Sequence, residues 1–492
     1  MTPAPSLART LVRRARALAR APLPGAVAQA ARLHLLDAVG VGLAAAGSPA
    51  GAPYRRFAAA SGRGGPAGIL GAPAGAAPAD AALVNGGLIH SLEYDDTHTG
   101  SIVHGSAVLA PAALAAGQAA GASGAALLAA YAVGWEVLIR IGLAAPGAFQ
   151  ARGFQVTSVG GALAAALVAG TLGSLGEDEA VAAVGIALSG ASGGFEFLTN
   201  GASVKSLHPG WAAHAGLTAA ALARAGLTGP ETAFEGRCGL FAAFAGDARA
   251  AGAFAEALDD LGTVWHLPDA AFKFHPCCHY LHPFVEAAGE LAGRGLAPDA
   301  IEALTCRVPA GAAPIICEPW AAKQAPATGH AARWSLPIVV AARLVEGRVD
   351  LATFEAPARA PVRALARRIA WEPLPAARFP VAFEAEILAR TRDGAAHAVR
   401  VDDVYGNAGR PAGAEAVAAK FRRNAARALA PDAVRAVEAA LGALAAAPSL
   451  DALAGALFGA GAMQTDAGSA ARHDAESAAQ PGAAPRPARS SA

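Results

Sequence analysis

Apolar positions dominate this chain and recur at helical spacing over long stretches, which short clusters of Gly, Pro and Ser interrupt. Between Ala26 and Ala46, the residues Val27, Ala30, Leu33, Leu36 and Val39 fall on one stripe, which predicts an amphipathic helix within a helical segment from Ser6 to about Phe57. Residues Gly62 to Gly75 are rich in Gly and Pro and read as a loop. From Asp80 to about Ala250 helical segments follow one another, separated by Gly-rich turns near 121, 144 to 153, 173 to 177 and 226 to 230. Connections this short favour neighbouring antiparallel helices.

Near Pro268 the pattern changes. Ala303 to Val308 and Ala382 to Leu388 alternate as strands do, and the Pro-rich loops around them predict a smaller mixed domain over 269–400. A turn-rich segment from Val401 to Pro411 leads into a helical stretch, Ala414 to Leu457, which can return to the first domain and make the small one an insertion. The expected fold class is mainly α: a large all-helical domain formed by both chain ends, 1–268 and 401–460, with an inserted α/β domain. Residues 461–492 lack periodicity and are expected to form a disordered tail.

Composition narrows the function. The chain has 492 residues, more than one core usually serves, and 39 basic against 38 acidic side chains. That balance gives no general attraction to phosphate backbones, so no nucleic-acid partner is expected. Arginines at 9, 13, 14, 16 and 20 read as a solvated first helix. The uncharged run from Ser106 to Trp135 has the length of a membrane span, but it is mostly Ala and Gly and is interrupted by Pro111, Gln118 and the Gly-Ala-Ser-Gly at 121 to 124. Buried helices with small faces, and no membrane, are the better reading. Cysteines at 238, 277, 278, 306 and 317 are odd in number and lack paired spacing, which fits reduced thiols in a cytoplasmic protein.

Against this apolar background three polar islands stand out. The first, residues 90–106, gathers the histidines His90, His98 and His104 and the carboxylates Glu93, Asp95 and Asp96, with the hydroxyl of Thr97 among them. It reads either as a cleft for proton transfer on a small substrate, or as an Asp-Asp-Thr cap for a helix beginning near Ser106. The second, 199–216, holds Lys205 as a lone cation among small residues, with His208 three positions on. Lys205 would bind a substrate carboxylate or pair with an internal Asp or Glu. The third, Lys273-Phe-His-Pro-Cys-Cys-His-Tyr-Leu-His282, invites a metal through His275, Cys277, Cys278, His279 and His282. Adjacent cysteines do not match a zinc loop, so no metal is expected, and Lys273 beside a helix N-terminus suits a bound carboxylate.

Together, in this order, the islands resemble the MmgE/PrpD family, which includes 2-methylcitrate dehydratase and cis-aconitate decarboxylase. The motifs are Glu-Tyr-Asp-Asp-Thr-His with His104, Gly153-Phe154 through Gly160, Lys205-Ser-Leu-His-Pro-Gly-Trp, Glu235-Gly236, Lys273-Phe-His-Pro-Cys-Cys, Trp334-Ser-Leu-Pro and Lys420-Phe. The resemblance implies the insertion architecture, a homodimer and a cofactor-free lyase acting on a small di- or tricarboxylate between the two domains. It places the catalytic histidine on His104, a hydroxyl on Thr97 and anion-holding lysines on Lys205 and Lys273; Asp95 is then assigned to orient His104 or an adjacent group. Glu93, Asp96, Gln155, His208 and Cys278 fall on substrate-binding positions. Gln155 stands where family members commonly carry His, Cys278 where the decarboxylase does, and Glu93 where Asp is usual. The expected reaction is dehydration by α-proton removal and β-elimination, with decarboxylation, epimerisation or carboxylate binding without catalysis as the alternatives.

Overall fold

In the computed structural model, which describes residues 5–61, 64–379 and 381–459, small side chains let helices meet backbone to backbone. The helices before the second polar island are α1 (Leu7–Ala19), α2 (Gly25–Ala46), α3 (Ala52–Ser61), α4 (Pro78–His90), α5 (Gly105–Ala120), α6 (Gly124–Ala144), the single turn α7 (Ala148–Ala151), α8 (Val156–Leu172) and α9 (Glu177–Gly190). Then come the turn α10 (Phe197–Asn200), α11 (Leu207–Arg224) and α12 (Ala250–Asp259). Helix α11 lies at the centre, against α8, α4, α9 and α5. At its crossing with α4, a Cβ added to Gly86 would stand 2.5 Å from the Cα of Gly210. Any larger residue there would push the two helices apart.

One apolar core runs from Ala8 to Ala270 and takes in Phe421, Leu429, Val437, Leu444 and Leu457 from the other end of the chain. Those residues belong to α19 (Ala414–Ala425), α20 (Pro431–Gly442), α21 (Asp451–Phe458) and the turns between them. A second core runs from Cys277 to Val401. It is built from α13 (His282–Gly293), α14 (Ala313–Ile316), α15 (Trp320–Gln324), α16 (Gly329–Ala332), α17 (Leu336–Glu346) and α18 (Ala360–Ala366). Its sheet holds β3 (Ile301–Val308), β4 (Ile369–Pro373), β5 (Ala385–Thr391) and β6 (Ala396–Val401), in the order β4-β3-β5-β6. β4 pairs parallel to β3; β5 pairs antiparallel to both β3 and β6. The protein is thus mainly α with a small α/β part.

Several expectations need correction. Helix α2 is buried on every side from Leu33 to Ala46, so its stripe widens into a wrapped core helix. The turn expected at 226–230 is present, but residues 231–249, expected to be helical, also form turns, with one wide turn at Phe241–Ala245, because Gly236, Gly239 and Gly246 punctuate them. The Gly/Pro loop holds a two-residue ribbon, β1 (Ala67–Gly68) with β2 (Gly75–Ala76). Pro111 does not break α5; the run ends at Gly121, whose φ of 61° caps the helix. Helix α6 is long and apolar enough to cross a bilayer, yet 89% of its most apolar window is buried against the rest of the protein. The arginines of α1 are not merely solvated: Arg9 and Arg13 reach Glu177 at 2.9 and 2.8 Å, and Arg14 reaches Asp259 at 2.8 Å. The expected tail, 461–492, lies outside the described residues.

Candidate active site

The first polar island is the connection between α4 and α5, and it is held in place at both ends. Thr97 exchanges backbone hydrogen bonds with Ala271 at 3.0 and 2.7 Å, which draws Lys273 to the island. Phe272 stacks on His34 of α2 at 4.0 Å between ring centroids, fixing the same segment from below. Lys420 of α19 pairs with Asp37 of α2 at 2.8 Å and donates to the Tyr94 carbonyl at 2.8 Å. All three polar islands therefore meet at one place, anchored by the returning C-terminal helix.

The residues of Asp-Asp-Thr divide: the capping reading falls on Asp96, and its two neighbours face elsewhere. Asp96 accepts from the Ser106 N–H at 3.2 Å at the start of α5, from the Ser106 hydroxyl, and from His34 Nδ1 at 2.7 Å. Its carboxylate is spent on the fold. Asp95 and Thr97 turn instead to His104, the residue that precedes α5. His104 Nδ1 lies 2.9 Å from the Asp96 carbonyl, 3.1 Å from Thr97 Oγ1 and 3.7 Å from Asp95 Oδ2. A carbonyl only accepts, so Nδ1 carries the proton and Nε2 presents a lone pair. Burial pushes the His104 pKa down to about 3, Lys273 adds to the effect and Asp95 opposes it, so the ring is neutral at pH 7. Gly105 follows because the Trp135 ring fills the space of a Cβ, 2.5 Å away.

A second line of bonds runs behind His104. Asp95 Oδ2 accepts from His90 Nδ1 at 2.8 Å, which leaves the His90 Nε2 lone pair facing the Gln155 amide nitrogen at 3.5 Å. Gln155 Oε1 in turn accepts from His208 Nδ1 at 2.7 Å. Each donor and acceptor fixes the next, so Gln155 sets the tautomers of two histidines without itself exchanging a proton. Burial, with His90 and Lys205 nearby, pushes His208 down to about 4.

Glu93 sits between the two lysines. Its carboxylate accepts from Lys205 Nζ at 2.6 Å, and its carbonyl lies 3.4 Å from Lys273 Nζ. Burial alone would raise the Glu93 pKa; Lys205, His90 and Lys273 outweigh it and hold the group well below the usual carboxylate range. Its φ of 51° is in the left-handed region that side chains avoid, a strain that the surrounding bonds must hold. Lys205 thus pairs with an internal carboxylate, and Lys273, 1% exposed, bonds among the described residues to a carbonyl alone. Trp334 places its ring 5.5 Å from Lys205 Nζ.

The other predicted residues divide. Cys278 is buried beside this group, and burial raises its thiol pKa. His98 turns away to Ser101, 2.7 Å from its hydroxyl. In the third island, His275, His279 and His282 contact one another through their rings, with centroids 5.3 and 4.8 Å apart. The grouping closest to a metal site among the described residues is a different one, His90, Asp95 and His104, whose ligand atoms lie within 4.8 Å of one another. Both Nδ1 atoms are already hydrogen-bonded, and the charge of Lys273 bears on His104, which disfavours a second cation there. Sequence reasoning counted His90 in the first island without giving it a role, and missed Arg333, next to the Trp334 it noticed.

The MmgE/PrpD N-terminal domain matches residues 9–252 and the MmgE/PrpD C-terminal domain matches residues 275–444. The chain belongs to the MmgE/PrpD family. It is similar to a cis-aconitate decarboxylase-like protein of Aspergillus oryzae, 29% identical over 56% of this chain and 61% of that protein. It is also similar to the cis-aconitate decarboxylase of Aspergillus terreus, 28% identical over 56% and 58% of the two chains. Similarity to the cis-aconitate decarboxylase of Homo sapiens is 30% over 73% of this chain and 74% of that one. The chain thus spans about three fifths of the length of the fungal relatives.

Proposed function

We propose that this protein is a carboxylate lyase that removes water from a small hydroxy di- or tricarboxylate such as 2-methylcitrate. The observation that supports this most is a neutral His104 whose Nε2 has no hydrogen bond among the described residues, beside the buried Lys273 and the partly buried Lys205. In the proposed step Lys205 and Lys273 hold carboxylates of the substrate and stabilise charge gathering on the one next to the reacting carbon. His104 Nε2 takes the α-proton as the C–H bond breaks. Electrons from that bond form the alkene, the C–O bond breaks, and the imidazolium returns the proton to the departing hydroxide as water. Asp95, 3.7 Å from the ring, favours the transient imidazolium, and Thr97 keeps the ring oriented.

Decarboxylation of a cis-aconitate-type acid is the second reading, favoured by the names of the relatives. There a C–C bond breaks, carbon dioxide leaves, and a protonated His104 must supply the proton to carbon. Its lowered pKa favours the basic role until bound carboxylates raise it again. We place the active protein in a homodimer in the cytoplasm.

The test is to incubate the protein with 2-methylcitrate, citrate and cis-aconitate while following alkene absorbance and released carbon dioxide. Absorbance from a hydroxy acid without carbon dioxide is expected, falling about 10²- to 10⁴-fold in His104→Ala. Carbon dioxide from cis-aconitate would favour the second reading. Turnover unchanged by His104→Ala would overturn the assignment.

A further inference from the structure

Two arms of the site are rooted on one buried side chain of α2. His34 is 1% exposed; its Nδ1 donates to Asp96 Oδ2 at 2.7 Å, and its ring stacks on Phe272 with 4.0 Å between centroids and 11° between planes. Each of these partners positions a group of the site. The Asp96 carbonyl accepts from His104 Nδ1 at 2.9 Å, the bond that leaves the lone pair on Nε2. Phe272 immediately precedes Lys273. His34 is thus one residue removed from both the base and a cation.

Phe272 also lies where the chain passes between the two cores. The N-terminal part of the first core ends at Ala270, and the second core runs from Cys277 to Val401. The outgoing crossing meets the returning one: the Phe272 N–H donates to the Gly406 carbonyl at 3.1 Å. Gly406, at a φ of 100°, comes so close that a Cβ there would stand 2.3 Å from the Phe272 carbonyl oxygen. Phe272 packs with Leu33 of α2 and Val417 of α19, apart from both large cores. The side-chain tie from Asp96 through His34 to Phe272 therefore runs beside the backbone pair of Thr97 with Ala271, and together they bracket the first island to the crossing. A single backbone pair leaves two segments free to turn about it; a second tie removes that freedom. Without His34, the Asp96 carboxylate would be held by Ser106 of α5, with no link to α2, and Lys273 would follow a crossing held by backbone bonds.

We infer that His34 is a positioning residue with two separable arms, its Nδ1–H holding His104 through Asp96 and its ring holding Lys273 through Phe272. The inference rests on the reading of the site as a carboxylate lyase.

Two substitutions separate the arms. His34→Phe keeps a ring to stack on Phe272 and has no donor for Asp96; His34→Asn carries an amide N–H near the place of Nδ1 and has no ring. Both are measured in the full chain with 2-methylcitrate as substrate and with tricarballylate, which has no hydroxyl to eliminate, as an unreactive probe. In His34→Phe, kcat should fall about 10²-fold while the Kd of the probe stays within about two-fold, since a misplaced base slows the step and leaves the cations where they were. In His34→Asn the probe should bind about ten-fold more weakly, with a smaller loss of kcat. Phe272→Leu removes the stack from the other side, leaves the His34 bond to Asp96 intact, and should repeat His34→Asn. Nitrogen NMR of labelled histidines reads the first arm without turnover: His104, identified by the signals lost in His104→Gln, should carry its proton on Nδ1 in the wild type and in His34→Asn, and on either nitrogen in His34→Phe. A purely structural His34 would lower the Tm of all three variants and leave kcat, Kd and the His104 tautomer of the folded samples as in the wild type; that result would overturn the inference, as would equal losses of kcat and probe affinity in both His34 variants. A wild type that neither turns over the substrate panel nor binds the probe would overturn the lyase reading instead, and the His104 tautomer in His34→Phe would still decide the role of His34.

Discussion

His208 Nδ1 donates to Gln155 Oε1 across 2.7 Å, joining the start of α11 to the residue that precedes α8. Both groups are buried. Gln155→Leu keeps much of the volume and leaves the His208 N–H without an acceptor, so stability should fall by about 1–3 kcal/mol. Gln155→Glu can still accept that bond and should lose less. Chemical denaturation of the two variants checks the order. Equal losses would mean the amide acts through packing and not through the bond.

Buried histidines set the response to acid. His98, His208 and His275 are pushed down to about 4 and His104 to about 3, burial being the largest cause in each. Unfolded histidines titrate near 6.5, so below that pH the unfolded chain binds more protons than the folded one. The stability these groups contribute is fully present above about pH 6.5 and is lost as pH falls toward 4 and then 3. Asp37 works the other way: burial raises it to about 6, so it takes up its proton while still folded and offsets part of the loss. Calorimetry should show Tm already falling between pH 6.5 and 5, above the range where ordinary carboxylates titrate. His104→Gln should flatten that slope. In kinetics, the acid limb of kcat/KM should lie well below pH 6, while that of kcat lies higher because bound carboxylates favour the imidazolium.

The Lys420 and Asp37 pair is fully enclosed, and Lys420 also holds the Tyr94 carbonyl of the first island. Lys420→Met should cost about 3–5 kcal/mol, because it strands a buried carboxylate as well as removing a partner. Adding Asp37→Leu should restore part of that stability, since the stranded charge goes with it. Turnover should stay low in both variants, as neither holds the island from α19. Denaturant midpoints and kcat measured on the same samples separate the two effects.

Much of this site was legible because charge is scarce: in a chain with 16% charged residues, a cluster such as Glu93 to His104 marks itself. Residues that act through a partner were harder to find. Pairing of Lys205 with Glu93 was weighed only in general terms, since nothing in the sequence spacing brings residues 93 and 205 together. His90 opens the first island, yet nothing in the spacing ties it to Gln155, 65 positions on. The same limit held for the sheet. β3 alternates clearly, whereas β4 is an edge strand in which only Ile369 is buried, so it carries no alternation to read. Residues 231–249 are apolar enough for helix, but their glycines decide against it.

Glu93 holds Lys205 at 2.6 Å, where the proposal needs a substrate carboxylate, so the two compete for one cation. In Glu93→Gln the lysine keeps a neutral acceptor and loses its counter-charge. Anion affinity should rise, because binding no longer displaces or faces a fixed carboxylate. Stability without ligand should fall by about 1–3 kcal/mol, for Lys205 is mostly enclosed and its charge is then compensated less well. The two effects have opposite signs, which makes them separable in one experiment. Thermal melts with and without tricarballylate should show a lower Tm for the variant alone and a larger ligand-induced rise than in the wild type. A smaller rise would mean that Glu93 orients Lys205 for the ligand and does not stand in its place.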